Sequence, residues 1–234
     1  MLNNDLSVKL YTKISEDNKP REIKAWHASS IAKCPRALYL ERLGVAPLNK
    51  PTGAKVLRWN TGHKIEESIR PYLLELYPNL MSNIRLENKE LDLTGEFDNY
   101  DPDSKQIIEI KSVHPYAVQR GELRDKKQYA HHEWQQAAYT LLMGKEMPVE
   151  QITYLYITLG GLLVPYTTPV KPEIVKRVSD KLKYLNECLE GSKMPLCMCS
   201  EGQEMWKEVN QFCEYQEEDR CCDPSLLKTN QETM

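Results

Sequence analysis

Residues 95–111 constrain the chain most. They read Gly95-Glu96-Phe97-Asp98, then ten residues, then Glu109-Ile110-Lys111. Gln106 to Lys111 has the apolar run of a strand, and Thr94 to Tyr100 reads as the strand before it. The segment between them, Tyr100-Asp101-Pro102-Asp103-Ser104, has turn chemistry. Successive strand side chains alternate faces, so Glu109 and Lys111 share one face and Ile110 points into the core. The hairpin brings Asp98 near Glu109. Two carboxylates that close repel each other unless a cation lies between them. Oxygen-only donors suit a hard divalent metal such as magnesium. A surface hairpin can also carry Asp, Glu and Lys as solvated charges, so the reading depends on two further elements.

One is a helix. His131 to Gly144 has helical periodicity and ends on a C-cap glycine. Trp134, Ala138, Leu141 and Leu142 make its buried stripe. Gln135 and Tyr139, four apart, lie on one face. The other element lies upstream. Gly62-His63-Lys64-Ile65-Glu66 opens or sits within a helix running to about Leu76, with Ile65, Ile69, Tyr72 and Leu73 on its apolar side. Glu66 is a candidate third carboxylate for the metal; the plainer expectation is an ion pair with Arg70 one turn on. His63 is the alternative ligand from the same segment.

Taken in order, Gly62-x3-Glu66, Gly95-x2-Asp98, Glu109-Ile110-Lys111 and Gln135-x3-Tyr139 resemble the RecB-like branch of the PD-(D/E)XK nuclease superfamily. Ser30-Ile31-Ala32-Lys33-Cys34-Pro35-Arg36-Ala37-Leu38-Tyr39 resembles the helix that precedes the nuclease core in that branch. The resemblance covers about residues 26–222. Many RecB-like members have histidine where this chain has Glu66, and phage-type exonucleases often have glutamate.

The resemblance implies an α/β fold with a mixed central sheet flanked by helices, the restriction-endonuclease-like core. It implies a metal-dependent DNA nuclease, an exonuclease in DNA recombination, repair or phage DNA processing. Asp98, Glu109, Lys111, Gln135 and Tyr139 would be its catalytic residues. Mg2+ or Mn2+ would be held by Glu66, Asp98, Glu109 and the backbone carbonyl of Ile110. Arg36, Tyr39 and Gln135 would contact DNA, as single strands or duplex ends. The alternative is a nuclease-fold subunit or DNA-binding scaffold that acts only within a recombination or CRISPR-adaptation complex.

Six of the seven cysteines fall between 188 and 222, and the seventh is Cys34. Such clustering in a reducing compartment points to metal binding. Iron–sulfur members of the resembled branch place one cysteine before the core and three after it. By that resemblance Cys34 with Cys197, Cys199, Cys213 and Cys221 are candidate ligands of a [4Fe–4S] cluster. A zinc site, or no metal, are the alternatives. The cluster would staple the two ends of the chain around the core.

Composition sets the remaining bounds. Of 234 residues, 41% are apolar and 28% charged, which describes an ordinary globular chain. No apolar run is long enough to cross a membrane. Met1-Leu2-Asn3-Asn4-Asp5 lacks the features of a signal peptide. The expected location is therefore the cytoplasm, that of the host for a phage-encoded protein. The net charge of −3 is unevenly spread: residues 1–60 hold 11 Lys+Arg against 5 Asp+Glu, and the remainder 20 against 29. A basic front permits phosphate tracking along one face, while the overall charge argues against tight non-specific duplex binding.

The expected organisation is an N-terminal arm (1–25) with a strand near Val8 to Tyr11, a nuclease core (26–190), and a cysteine-rich acidic segment (191–234) packed on that core. Within the core, Ser29 or Ser30 caps a helix running to Leu43. Gly44 to Gly53 is a loop before the second helix. Strands follow from Asn83 into the hairpin, then at Gln151 to Leu159 and Leu162 to Thr168. A helix over Pro172 to Leu189 closes the core.

Overall fold

A computed structural model describes residues 4–19, 22–47, 50–116 and 130–196. Asn4–Asp17 forms helix α1. This corrects the expected strand near Val8 to Tyr11. Leu6, Leu10 and Ile14 recur at four-residue spacing, and the ion pairs Asp5–Lys9 and Lys13–Asp17 span the same interval. The helix lies across the start of α3 (Gly53–Leu76). There a Cβ on Gly53 would come within 2.1 Å of the Tyr11 carbonyl oxygen, so only glycine allows the approach.

The helix expected to run unbroken from Ser29 or Ser30 to Leu43 is instead divided. A 3-10 turn at Ala28–Ser30 precedes α2 (Pro35–Arg42). Pro35 disfavours helical backbone at the residue before it, and Cys34 has ψ 135. Proline at the first helical position then loses no hydrogen bond.

Helix α3 begins about two turns earlier than Gly62. Thr52 caps it, its hydroxyl accepting from the Lys55 N–H at 3.3 Å. Pro71 inside the helix costs ~3 kcal/mol. Burial of Leu73 and partial burial of Ile65 and Ile69 offset that cost. Tyr72, expected on the apolar side, is 65% exposed.

Among the described residues six strands make one mixed sheet: β1 (Trp26–His27), β2 (Met81–Asn88), β3 (Leu93–Asp101), β4 (Gln106–Val113), β5 (Gln151–Thr158) and β6 (Leu163–Pro169). β2–β3, β3–β4 and β5–β6 are antiparallel, while β4 and β5 run parallel. A parallel pair needs a crossover, and α4 (Ala130–Met143) lies within it. Helix α5 (Pro172–Glu190) follows β6.

One face of the sheet packs Ile108, Ile110 and Ile157 against α3. The other packs Phe97, Tyr100, Ile107, Ile152, Tyr154 and Tyr156 against α4 and α5. Lys181 on α5 is buried, and its ammonium donates to the carbonyls of Ile31 (2.6 Å) and Lys33 (2.5 Å), tying α5 to the turn before α2. The architecture is the expected mixed sheet flanked by helices. Among the described residues no helix is long and apolar enough to cross a membrane.

Candidate active site

The site forms where β3 and β4 part. β2 occupies one edge of β3 along nearly its whole length. Both other neighbours therefore share the opposite edge, β1 at Leu93–Thr94 and β4 at Asn99–Asp101. Among the described residues, 95–98 are left between them without a strand neighbour on that edge. Their backbone needs other partners. Glu96 finds one in α4, where the Tyr139 hydroxyl donates to its carbonyl at 2.8 Å.

Asp98 sits at the fork. Phe97 and Tyr100 both enter the α4-side core although three apart, so the two-residue alternation breaks between them. The flanking pairs Ser82↔Asn99 and Ile84↔Phe97 set Asn83 opposite Asp98, and Asn83 has φ 54. Asparagine tolerates this left-handed backbone better than most residues.

The β3–β4 register, continued one step past Asn99↔Ile108, sets Asp98 opposite Glu109. Asp98 Oδ2 accepts the Ile110 backbone N–H at 2.8 Å. Glu109 is buried, and its Oε1 accepts from the Lys111 ammonium at 2.6 Å and from Gln135 Nε2 at 3.1 Å. Gln135 Nε2 also donates to the Tyr139 hydroxyl at 2.7 Å. Glu109 Oε2 is buried with no hydrogen-bond partner among the described residues. The expected faces hold: Glu109 and Lys111 point one way, and Ile110 packs towards α3.

Electrostatics follow from this burial. Desolvation, and then Glu109, push the Asp98 carboxyl well above the usual aspartate range. Burial disfavours the Lys111 ammonium, but Glu109 and Asp98 outweigh it and hold its pKa above the ordinary lysine value. Burial and then Glu109 raise the Tyr139 phenol well above the usual range, so it remains a hydrogen donor.

A hard cation fits this donor set. Two facing carboxylates and an orphaned carboxylate oxygen are what a positive charge would neutralise and saturate. Asp98, Glu109 and the Ile110 carbonyl would hold it. Glu66 lies near enough to influence both Asp98 and Lys111. Its Oε1, however, pairs with Arg70 at 2.5 Å, and Oε2 is 3.7 Å from His63 Nδ1. The Arg70 ion pair is the plainer of the two expectations for Glu66. Among the described residues no three His, Cys, Asp or Glu side chains converge on one point.

The two glycines have steric reasons to be there. A Cβ on Gly95 would come within 2.8 Å of Leu142 Cδ1, 2.9 Å of Ala28 Cβ and 3.2 Å of Tyr139 Cε1. One on Gly62 would meet Ser112 Oγ at 3.2 Å, where α3 crosses the end of β4.

The expected DNA contacts outside the fork are placed differently. Tyr39 is 4% exposed, with burial and the Cys188 thiol raising its phenol pKa. It is a core residue of α2, not a surface contact. Arg36 Nε donates to the Pro195 carbonyl at 3.0 Å. Cys34 is buried at the α2 N-cap. Cys197, Cys199, Cys213 and Cys221 lie outside the described residues.

Sequence reasoning missed His132. It is buried, its Nδ1 is 3.1 Å from the Tyr156 hydroxyl, and its ring stacks on Tyr154 and Tyr156. Burial, then Lys111 and His131, push its pKa well below the ordinary histidine value. The available signal was its position three and seven residues before Gln135 and Tyr139, on the same helical face.

No protein-family model matches the chain, and no curated protein matches it in sequence. Its structure is similar to the alkaline exonuclease LHK-Exo from Laribacter hongkongensis, with TM-score 0.55, 11% identity, and coverage of 77% of this chain and 93% of that one. The same enzyme in complex with dAMP matches with TM-score 0.55 and 11% identity, over 79% of this chain and 93% of the enzyme. A phage-related exonuclease from Haemophilus somnus 129PT matches with TM-score 0.50 and 17% identity, over 72% of this chain and 96% of that one. The chain has the mixed α/β fold of these exonucleases.

Proposed function

We propose that the chain is a metal-dependent DNA nuclease of the PD-(D/E)XK type, RecB-like in its motifs, acting as an exonuclease. The observation that carries this is the Asp98–Glu109 pair, with Glu109 buried, its Oε2 unpartnered among the described residues, and Lys111 against the same carboxylate. A divalent ion, magnesium or manganese, held there would polarise the scissile phosphate and lower the pKa of a bound water. Lys111 would orient the attacking water and would offset negative charge gathering on the phosphate in the transition state. Gln135 fixes the Glu109 carboxylate, and Tyr139 braces Gln135 against the Glu96 carbonyl. Glu66 would join the ligand set through Oε2, since its Oε1 is paired with Arg70.

The test is cleavage of end-labelled single- and double-stranded DNA with magnesium or manganese. Wild type should release nucleotides from ends, and Lys111→Ala should lose cleavage while keeping the fold and metal binding. Lys111 taking no part in the chemistry would appear as Lys111→Ala cleaving at the wild-type rate.

For the cysteines we infer a [4Fe–4S] cluster with Cys34 as one ligand. Arg36 holds the Pro195 carbonyl and the Tyr184 hydroxyl accepts the Leu196 N–H at 3.0 Å, so the chain just before Cys197 lies against α2 and α5. Protein purified without oxygen should be brown and contain iron, and Cys34→Ser should bleach it and lower its melting temperature. Iron-free wild type would remove the cluster, and zinc in its place would favour a thiolate zinc site.

A further inference from the structure

We infer that the first half of α3 is a subsite for unpaired DNA bases, with Trp59 as its stacking platform and Lys55 and Arg58 holding the adjoining phosphates. This rests on the nuclease reading and extends it by assigning where the strand lies ahead of the reacting phosphate.

Four observations converge. Trp59 is 45% exposed, although a tryptophan ring is among the side chains most favoured for burial. The Lys55 ammonium lies 5.3 Å from the centre of its ring, so aromatic and cationic groups already adjoin. From Gly53 to Ile65 the helix carries Lys55, Arg58, His63 and Lys64 and no acidic residue. Lys64 is engaged with Glu67, and Arg58, the residue before Trp59, is exposed. This half-helix lies in the basic front of an otherwise acidic chain.

The fourth observation is position. Lys55, Trp59, Gly62 and Glu66 fall on one stripe of α3, spaced four, three and four residues. Trp59 stands seven residues before Glu66, about 10 Å along the helix axis. At the far end of the stripe Glu66 bears on Asp98 and Lys111, and Gly62 lets the helix close on Ser112 of β4. A strand with a phosphate at the fork therefore has a base within reach of Trp59. Stacking uses the face of a base and tolerates any sequence, but it needs that face free of a neighbouring base pair. The ligand is thus a single strand or a frayed end.

The test is fluorescence anisotropy with labelled oligothymidylate and a blunt hairpin duplex, in chelator so that no cleavage intervenes, across a salt series. Trp59→Ala should weaken single-strand binding about five- to a hundredfold, the range of one lost stack. It should change duplex binding less than about twofold and leave the salt slope unchanged. Trp59→Phe should recover most of the loss. Arg58→Ala should weaken both ligands and reduce the salt slope by about one. Unchanged single-strand binding by Trp59→Ala overturns the subsite, as does an equal loss for both ligands. Wild type that cleaves with magnesium, beside Trp59→Ala that binds and cleaves like it, overturns the subsite and leaves the nuclease reading. Wild type that never cleaves, while Trp59 still governs single-strand binding, overturns the nuclease reading instead.

Discussion

Asp98 Oδ2 accepts the backbone N–H of Ile110 at 2.8 Å, where the β3–β4 ladder has just ended. A side chain thus takes the place of a missing strand contact, and the residue that marks the fork is the one that faces Glu109. Fold and chemistry make opposite demands on it. The fold needs only the acceptor oxygen. The charge next to Glu109 costs stability until a cation arrives.

Asp98→Asn should therefore stabilise the metal-free protein, by on the order of 1 kcal/mol. Its amide oxygen still accepts from Ile110, and the like-charge contact with Glu109 is gone. Magnesium should raise the melting temperature of wild type and leave that of Asp98→Asn unmoved, and cleavage should vanish. Asp98→Ala should behave differently, losing ~1–3 kcal/mol because the Ile110 N–H is left without a partner. Calorimetric melting of all three with and without magnesium checks this. An Asp98→Asn protein that melts lower than metal-free wild type contradicts it.

Gly95 is the glycine of the motif for packing, not for backbone freedom. Its Cβ position is claimed by Leu142, Ala28 and Tyr139. Gly95→Ala should cost ~1–3 kcal/mol by overpacking. The strain falls on α4 and displaces Tyr139, so cleavage should drop further than stability alone explains. Denaturant titration with parallel rate measurements separates the two. A variant as stable as wild type would show that α4 yields easily at this point.

These two residues also show what the sequence made legible. The Gly-x-x-Asp spacing was visible as a pattern, and the alternation of Glu109, Ile110 and Lys111 assigned faces that the sheet keeps. The broken alternation after Phe97 was not visible: it lies opposite Asn83 of a neighbouring strand, a pairing that local pattern does not encode. Helix α1 departs from the expected strand because Val8-Lys9-Leu10-Tyr11 is short, and over four residues strand and helix patterns overlap. Its docking on Gly53 is a long-range contact. Tyr39 resembled a strand-contacting residue by motif, but α5 covers the face it occupies. The Arg70 partner of Glu66 was foreseen because it is local, one helical turn away.

Gln135 and Tyr139 should act as a unit. Gln135 Nε2 bridges Glu109 and the Tyr139 hydroxyl, and that hydroxyl anchors on the Glu96 carbonyl. Gln135→Leu and Tyr139→Phe should each lower the cleavage rate at saturating metal about tenfold or more. The double variant should lose far less than the product of the two losses, with a coupling of ~0.5–3 kcal/mol. Strictly multiplicative effects would mean that the two side chains serve separate purposes.

His132 should make the fold acid-sensitive. Its ring is buried against Tyr154 and Tyr156, and desolvation, then Lys111 and His131, hold its pKa well below the ordinary value. Above the unfolded-state value of about 6.5, neither the native nor the unfolded form carries the proton, and the full stability is present. As pH falls below that value the unfolded chain takes up a proton that the native core refuses. Stability is then lost, by up to ~1.4 kcal/mol per pH unit, until the depressed native value is reached. His132→Gln keeps a hydrogen-bonding group for the Tyr156 hydroxyl and removes the titration. Between about pH 7 and about pH 5 its stability should fall less steeply than that of wild type. His131, also depressed by burial and Lys111, accounts for a slope that remains. Urea titrations across this range measure the difference. Equal slopes for the two proteins would mean that the His132 ring takes up its proton without leaving the native state.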